Sequence, residues 1–117
     1  MGKLTTHVLN VADGIPAAGM RIELRAVTSA GTAPIGTAHT NADGRCGTPL
    51  LQGAEFRAGR YSLTFHVAEY FRALGHSLPD PPFLDEVVIA FGIARADQDY
   101  HVPLLVSPWS YSTYRGS

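Results

Sequence analysis

The chain has little charge, and its positive and negative side chains nearly cancel. Its 117 residues include nine Lys and Arg against ten Asp and Glu, for a net charge of −1, and Lys3 is the single lysine. Domains that bind nucleic acids or anionic membranes need a clustered excess of positive charge. The composition therefore predicts neither a nucleic-acid partner nor a membrane partner.

Cysteine and long apolar runs are scarce as well. Cys46 is the one thiol in the sequence, so no internal disulfide can form and packing must hold the fold. A lone cysteine could be a nucleophile, but it is more often a small buried side chain. No apolar run approaches the roughly 20 residues that cross a bilayer. No charged-then-apolar signal segment precedes Leu4, which predicts a cytoplasmic protein.

What the sequence has is alternation of apolar and polar side chains. This period of two is typical of strands, and four runs follow it: 20–27, 61–67, 86–93 and 100–106. Clusters of Gly, Pro, Asp and Asn separate the runs. Residues 67–75 instead have helical spacing and end on Gly75. We predict a single all-β domain over 1–117, a sandwich of seven or eight short strands with one short helix.

The parity of two strands places histidines on one outward face. In a strand, residues two apart share a face, so His7 lies with Thr5 and Leu9 near the start of the chain. In 100–106 the bulky residues occupy the other parity, which turns His101 outward. The same reasoning assigns Trp109, Tyr111 and Thr113 to the core. If the first and last strands are neighbours, the outward face contains His7, Leu9, His101, Pro103, Leu105, Ser112 and Tyr114.

Such a face has two interpretations. It is aromatic, rich in imidazole and almost uncharged, which is typical of a surface that packs on another subunit. The histidines would then be incidental. Alternatively they form an active site between subunits, because an imidazole with a pKa near 6.5 is suited to acid–base catalysis. Pro103 lacks an N–H and therefore predicts an edge strand, a bulge or open space beside it. No spacing typical of a metal site is present.

Three segments resemble the transthyretin-like 5-hydroxyisourate hydrolases. They are 4–20 (LTTHVLNVADGIPAAGM), 40–45 (TNADGR) and the end of the chain (YHVPLLVSPWSYSTYRGS), and the resemblance runs through the whole sequence in order. It implies a transthyretin-type sandwich of two four-stranded antiparallel sheets, assembled as a homotetramer, a dimer of dimers with active sites in a channel. It also implies hydrolysis of a purine-derived substrate, 5-hydroxyisourate, with no metal and no cofactor.

The resemblance further implies which residues form the site. The catalytic residues would be His7, Arg45, His101 and Ser117. The substrate-binding residues would be Pro103, Leu105, Ser112, Tyr114 and Arg115, although Arg115 has the opposite strand parity. Two positions depart from the family pattern: Asn10 replaces a usual Asp and Ser110 a common Gly. The alternative function is that of transthyretin itself, a carrier of a small hormone in the same channel, which needs neither the histidine pair nor the Tyr-Arg-Gly-Ser end.

Overall fold

Strands dominate the chain, and the structure, a computed structural model, describes residues 2–116. Within that range the strands are β1 (Lys3–Asn10), β2 (Ile15–Pro16), β3 (Arg21–Thr28), β4 (Gly31–His39), β5 (Leu51–Gln52), β6 (Gly59–Phe65), β7 (Val87–Ile93), β8 (Tyr100–Val106) and β9 (Tyr111–Thr113). A 3₁₀ turn covers Gly53–Glu55 and the helix α1 covers Val67–Ala73. No helix in the described part of the chain is long and apolar enough to cross a membrane.

The strands form two sheets, which confirms the all-β sandwich. One sheet has the order β2-β1-β8-β9, with β5 also paired to β1, and the other has the order β4-β3-β6-β7. Two details differ from the prediction of two four-stranded antiparallel sheets. The short strand β2 adds a fifth strand to the first sheet, and β1 pairs with β8 in parallel. This parallel pair joins β1, the first strand of the chain, to β8, the last strand but one.

Apolar side chains from both sheets fill the space between them. On β1 the buried positions are the even ones, and on β8 the bulky set Tyr100, Val102, Leu104 and Val106 is buried. The central strand β6 contributes Leu63 and Phe65, both fully buried. Because one face of each strand is used by the core, the alternate residues of β1 and β8 must face the other way. The predicted outward parity of His7 and His101 follows from this packing.

The predicted core positions of Trp109 and Tyr111 are wrong. Their side chains are 59% and 47% exposed. Trp109 lies in a turn closed by a hydrogen bond from the Ser107 N–H to the Ser110 carbonyl, so strand parity does not apply to it. Tyr111 does lie opposite Val106, on the core side, but β9 is a three-residue edge strand that the other sheet does not cover. Thr113 is exposed for the same reason.

Pro103 lies in the interior strand β8 and not on an edge. The pairs Leu104↔Thr113 and His101↔Gly116 share one register, which puts Tyr114 opposite Pro103. The ladder is interrupted there because proline has no N–H to donate. The Thr113 hydroxyl instead donates to the Pro103 carbonyl at 2.7 Å. The ladder between β8 and the end of the chain is therefore broken at Pro103, near His101, and Pro103 itself is buried.

Two leucines test how strongly the core determines stability. Leu63 is fully buried on β6, whereas Leu74, just after α1, is 46% exposed. Leu63→Ala should lower the free energy of unfolding by about 2–5 kcal/mol through lost burial and a cavity. Leu74→Ala, the same chemical change at the surface, should cost less than about 0.5 kcal/mol. Urea denaturation at fixed protein concentration measures both, and equal losses would contradict the described core.

Candidate active site

The parallel pairing of β1 with β8 brings the two histidines onto one face. Thr5 lies opposite His101, and His7 lies opposite Pro103. Neighbouring strands are separated by about 4.8 Å and two residues by about 6.6 Å, so the two histidines are attached to the backbone about 8 Å apart. Both side chains are half-buried. This spacing leaves room for one small planar molecule to contact both rings.

The ring of His101 is held from two sides. Its Nδ1 lies 2.8 Å from the Thr5 hydroxyl oxygen. On the other side, a Cβ built on Gly116 would lie 2.6 Å from the Cδ2 atom of the ring. Only glycine therefore fits beneath the imidazole. The Gly116 N–H donates to the His101 carbonyl at 2.7 Å, which ties the end of the chain to β8.

His7 is held by a turn that also presents Arg45. Its Nε2 donates to the Asp43 carbonyl at 2.9 Å, and a carbonyl can only accept, so Nε2 carries the proton. Next along, the Val8 N–H donates to the Gly44 carbonyl at 2.8 Å. Gly44 has φ +77°, and a Cβ there would lie 2.4 Å from the Val8 carbonyl oxygen. A glycine is needed both for that conformation and for that approach.

The turn places Arg45 beside β1. The Asn41 side-chain oxygen accepts hydrogen bonds from the Asp43 N–H at 2.9 Å and the Arg45 N–H at 3.2 Å. Arg45 then forms an isolated antiparallel bridge with His7. Its exposed side chain joins His101 in the lining of a groove of about 310 Å³. The other lining residues are Lys3, Thr5, Thr6, Cys46, Thr48 and Asp99.

The electrostatics of the groove keep His101 neutral. Partial burial, the charge of Arg45 and the proximity of His7 together lower the pKa of His101 below its usual 6.5. All three disfavour the imidazolium form. At neutral pH this side chain is therefore a free base that can accept a proton.

Cys46 is a poor candidate for a nucleophile. Its side chain is half-buried and unpaired with another cysteine, and burial raises the pKa of its thiol. A raised pKa reduces the reactive thiolate at neutral pH. Residues 2–116 also contain no group of three His, Cys, Asp or Glu side chains that could hold a metal ion.

The structure distributes the other predicted site residues unevenly. Leu105 and Ser112 pair across β8 and β9 on the histidine face. Leu105 is half-buried there, whereas Pro103 is buried. Tyr114 is 62% exposed and lies in register with Pro103. Ser117 lies outside the described residues.

The side chain of Arg115 is placed away from the histidines, and the substrate-binding role expected for it stays a prediction. Its guanidinium carbon lies 4.0 Å from the centroid of the Tyr100 ring. It also donates to the Asp99 carbonyl at 3.0 Å and the Gln98 side chain at 3.3 Å. Strand alternation explains this, because Gly116 pairs with His101 and the preceding residue must face the opposite side. Arg115 stabilises the end of the chain against the start of β8.

Two contacts of the site were not predicted as part of it. Strand parity puts Thr5 on the histidine face. Its hydrogen bond to His101 also depends on the register of β1 against β8, and parity does not predict that register. The Asp43 carbonyl is a backbone group, and the pattern of side chains in the sequence does not predict where it points. A sequence signal existed only for the turn itself, in the Asn-Ala-Asp-Gly run before Arg45.

Comparisons with known proteins identify the family of the chain. A model of the HIUase/Transthyretin family matches residues 4–116. A 5-hydroxyisourate hydrolase of Pseudomonas aeruginosa is 58% identical over 117 residues, which cover 100% of this chain and 93% of that protein.

Two solved structures share the fold. (S)-allantoin synthase superposes with a TM-score of 0.94 at 49% identity, and the match covers 99% of this chain but only 44% of that one. A sea bream transthyretin in complex with thyroxine superposes with a TM-score of 0.86 at 27% identity, over 97% of this chain and 94% of that one. The family match and the full-length identity together lead to one conclusion: the chain belongs to the HIUase/Transthyretin family.

Proposed function

We propose that this chain is a hydrolase that opens the six-membered ring of 5-hydroxyisourate. The observation that supports this most is that a neutral His101 and Arg45 line one groove. His7 lies beside them, because it pairs with Pro103 on β8 and forms a bridge with Arg45. The 58% identical relative has the same activity in its name. A site of this kind combines a base, a second proton-transfer group and a fixed positive charge, which are the elements required to hydrolyse a cyclic amide.

The reaction begins with a water molecule held by His101. The neutral imidazole accepts a proton from the water, and the resulting hydroxide attacks the ring carbonyl carbon next to N1. Its lowered pKa favours this role, because the base form persists at neutral pH. Ser117, predicted to assist through its hydroxyl, remains a prediction.

Negative charge then develops on the carbonyl oxygen and must be stabilised. Arg45 keeps its charge at every physiological pH and offers a planar set of donors that matches oxygen and urea-like groups. The bond from the carbonyl carbon to N1 breaks, and N1 takes a proton from the protonated form of His7. The Nε2 proton of His7 is engaged by the Asp43 carbonyl, so the transferred proton comes from Nδ1. The proton held by His101 then returns to His7 through solvent, which restores both groups for the next turnover. The product is 2-oxo-4-hydroxy-4-carboxy-5-ureidoimidazoline.

Apolar contacts hold the flat substrate ring. Pro103 and Leu105 lie beside the histidines on the same face of β8, and Ser112 adjoins Leu105 from β9. A flat heterocycle gains most of its binding energy from apolar surface and its orientation from a few polar groups. The exposed Tyr114 would close the groove from the side of β9.

A homotetramer would complete the groove, because the histidine face is open in the single chain. The free edges β7 and β9 lie together at one side of the sandwich, where they border an apolar cleft of about 250 Å³. Large apolar side chains are exposed around them, among them Val88, Trp109 and Tyr111. Unpaired strand edges with such side chains favour pairing with another copy. The proposed assembly is a dimer of dimers.

A carrier of a small hormone is the second candidate. It is favoured by the match to sea bream transthyretin, whose solved complex contains thyroxine. The identity to that protein is 27%, against 58% to the hydrolase. The paired histidines held by Thr5, Asp43 and Gly116 favour the hydrolase, since a carrier has no use for a restrained base.

Removing His101 tests the proposed chemistry. His101→Asn should reduce the turnover of freshly prepared 5-hydroxyisourate, followed by its ultraviolet absorbance, by roughly 10²–10⁴-fold, as expected for loss of a positioned base. His39→Asn is the matched control, because His39 is exposed at the end of β4 in the other sheet. It should leave turnover unchanged. Wild-type turnover by His101→Asn would remove His101 from the mechanism.

The pH dependence tests the electrostatic coupling in the groove. Since the pKa of His101 is lowered, the decline of kcat/KM on the acidic side should have its midpoint below pH 6.5. Arg45→Gln removes one of the positive neighbours, so the pKa should rise and the acidic decline should begin at a higher pH.

Arg60→Gln is the control for charge alone, because Arg60 is an exposed arginine on β6. It should leave the pH profile in place. If the activity of a variant is too low to follow, NMR titration of the His101 ring measures the same pKa. An acidic decline with its midpoint above pH 6.5 in the wild-type protein, or one whose midpoint moves down in Arg45→Gln, would contradict the coupling.

Native mass spectrometry tests the assembly. The expected species at micromolar concentration consists of four 12.5 kDa chains. Val88→Glu, which adds charge at the exposed edge β7, should shift the population to smaller species. Ile35→Glu is the control, since Ile35 is 41% exposed on β4, at the opposite edge of the same sheet. A wild-type monomer, or equal effects of the two changes, would count against association through β7 and β9.

A further inference from the structure

We propose that Thr5 is a positioning residue that, together with the charge of Arg45, fixes His101 in one tautomer, with the proton on Nδ1 and the lone pair on Nε2. The Thr5 hydroxyl oxygen and the His101 Nδ1 lie 2.8 Å apart, a short hydrogen bond between side chains 96 residues apart in sequence. The inference rests on the proposed hydrolysis, in which Nε2 is the atom that accepts the proton of water.

The contacts of the ring determine which atoms face the groove. Thr5 approaches from β1 at Nδ1, and Gly116 approaches from the other side at Cδ2. These are the two ring atoms nearest the backbone. The remaining edge, Cε1 and Nε2, must therefore point away from the sheet. Among residues 2–116, the hydrogen bond to Thr5 is the one that the His101 ring makes, so Nε2 remains available to a bound molecule.

A neutral imidazole has one N–H, and the surroundings decide which nitrogen holds it. A hydroxyl can accept from Nδ1–H or donate to a bare Nδ1, so the Thr5 contact allows both tautomers. The field of Arg45 distinguishes them. Arg45 and His101 line the same groove, and a fixed positive charge there favours a lone pair on the groove side over an N–H. The proton is therefore placed on Nδ1, where Thr5 accepts it.

The ring of His7 is restrained through a different nitrogen from that of His101. Its ring is held through Nε2 by the Asp43 carbonyl, which only accepts, so its neutral form has the proton on Nε2 and the lone pair on Nδ1. The two histidines are thus held through opposite nitrogens. This difference gives each ring a fixed proton position before substrate binds, and it predicts that the rings cannot exchange roles.

The test replaces the hydroxyl while keeping the shape of the side chain. Thr5→Val removes the hydrogen bond to His101, Thr5→Ser keeps a hydroxyl, and Thr32→Val is the matched control on the exposed edge strand β4. Thermal unfolding of all three variants checks that the fold is intact. We expect it to be, because valine has a high propensity for strands. Nitrogen-15 NMR of labelled histidine reads the tautomer of His101 directly, independently of turnover.

The expected spectrum of the wild-type protein shows His101 protonated at Nδ1. Thr5→Val should shift the signals towards the Nε2–H form and lower kcat by roughly 10-fold to 100-fold, less than the loss of the base itself. KM should change by less than about threefold, because the hydroxyl holds the base and not the substrate. Thr5→Ser should restore both the spectrum and kcat, and Thr32→Val should match the wild-type protein.

Three results would overturn the proposal. The first is an Nε2–H tautomer in the wild-type protein, and the second is an unchanged tautomer in Thr5→Val. The third is a changed tautomer in Thr5→Val with an unchanged kcat. Failure of the proposed hydrolysis is a separate observation, namely no turnover of 5-hydroxyisourate by the wild-type protein. In that case the NMR spectra alone decide whether Thr5 fixes the ring.

Discussion

The parallel pairing of β1 with β8 is the constraint on which the site depends. Seven residue pairs, from Leu4↔Tyr100 to Asn10↔Val106, fix the register. A shift by one residue would turn His7 or His101 into the core and expose the apolar set of the same strand. The hydrophobic burial of β1 and β8 therefore also sets the distance between the two imidazoles, so stability and catalysis rely on the same alignment.

Around this pair of strands, two glycines allow the backbone to approach the histidines closely. Gly44 brings the turn against Val8, so that the Asp43 carbonyl reaches His7 and Arg45 stands beside it. Gly116 lies beneath the ring of His101, after the gap that Pro103 leaves in the ladder. Side chains at either position would displace a histidine ring or the strand that holds it. The polar groups of the site are thus held mainly by backbone, which favours precise orientation.

The sequence predicts the sandwich, the helix after β6 and the outward direction of His7 and His101, because period-two alternation directly reports which face is buried. It fails for Trp109, which belongs to a turn, and for Tyr111, whose short edge strand is uncovered. The interior position of Pro103 and the parallel direction of β1 and β8 depend on the order of strands in the sheet. That order is set by contacts between residues distant in sequence, so local sequence patterns do not predict it. The roles given to all the site residues stay predictions, those of His7, Arg45 and His101 included.

One substrate ring is proposed to lie between His101, Arg45 and His7, over Pro103 and Leu105. A crystal structure of the protein with an unreactive purine analogue of 5-hydroxyisourate tests this most directly. We expect the analogue between these side chains, with a carbonyl oxygen within hydrogen-bonding distance of Arg45 and a ring edge facing Nε2 of His101. An analogue bound elsewhere, or histidine rings turned into the core, would contradict it.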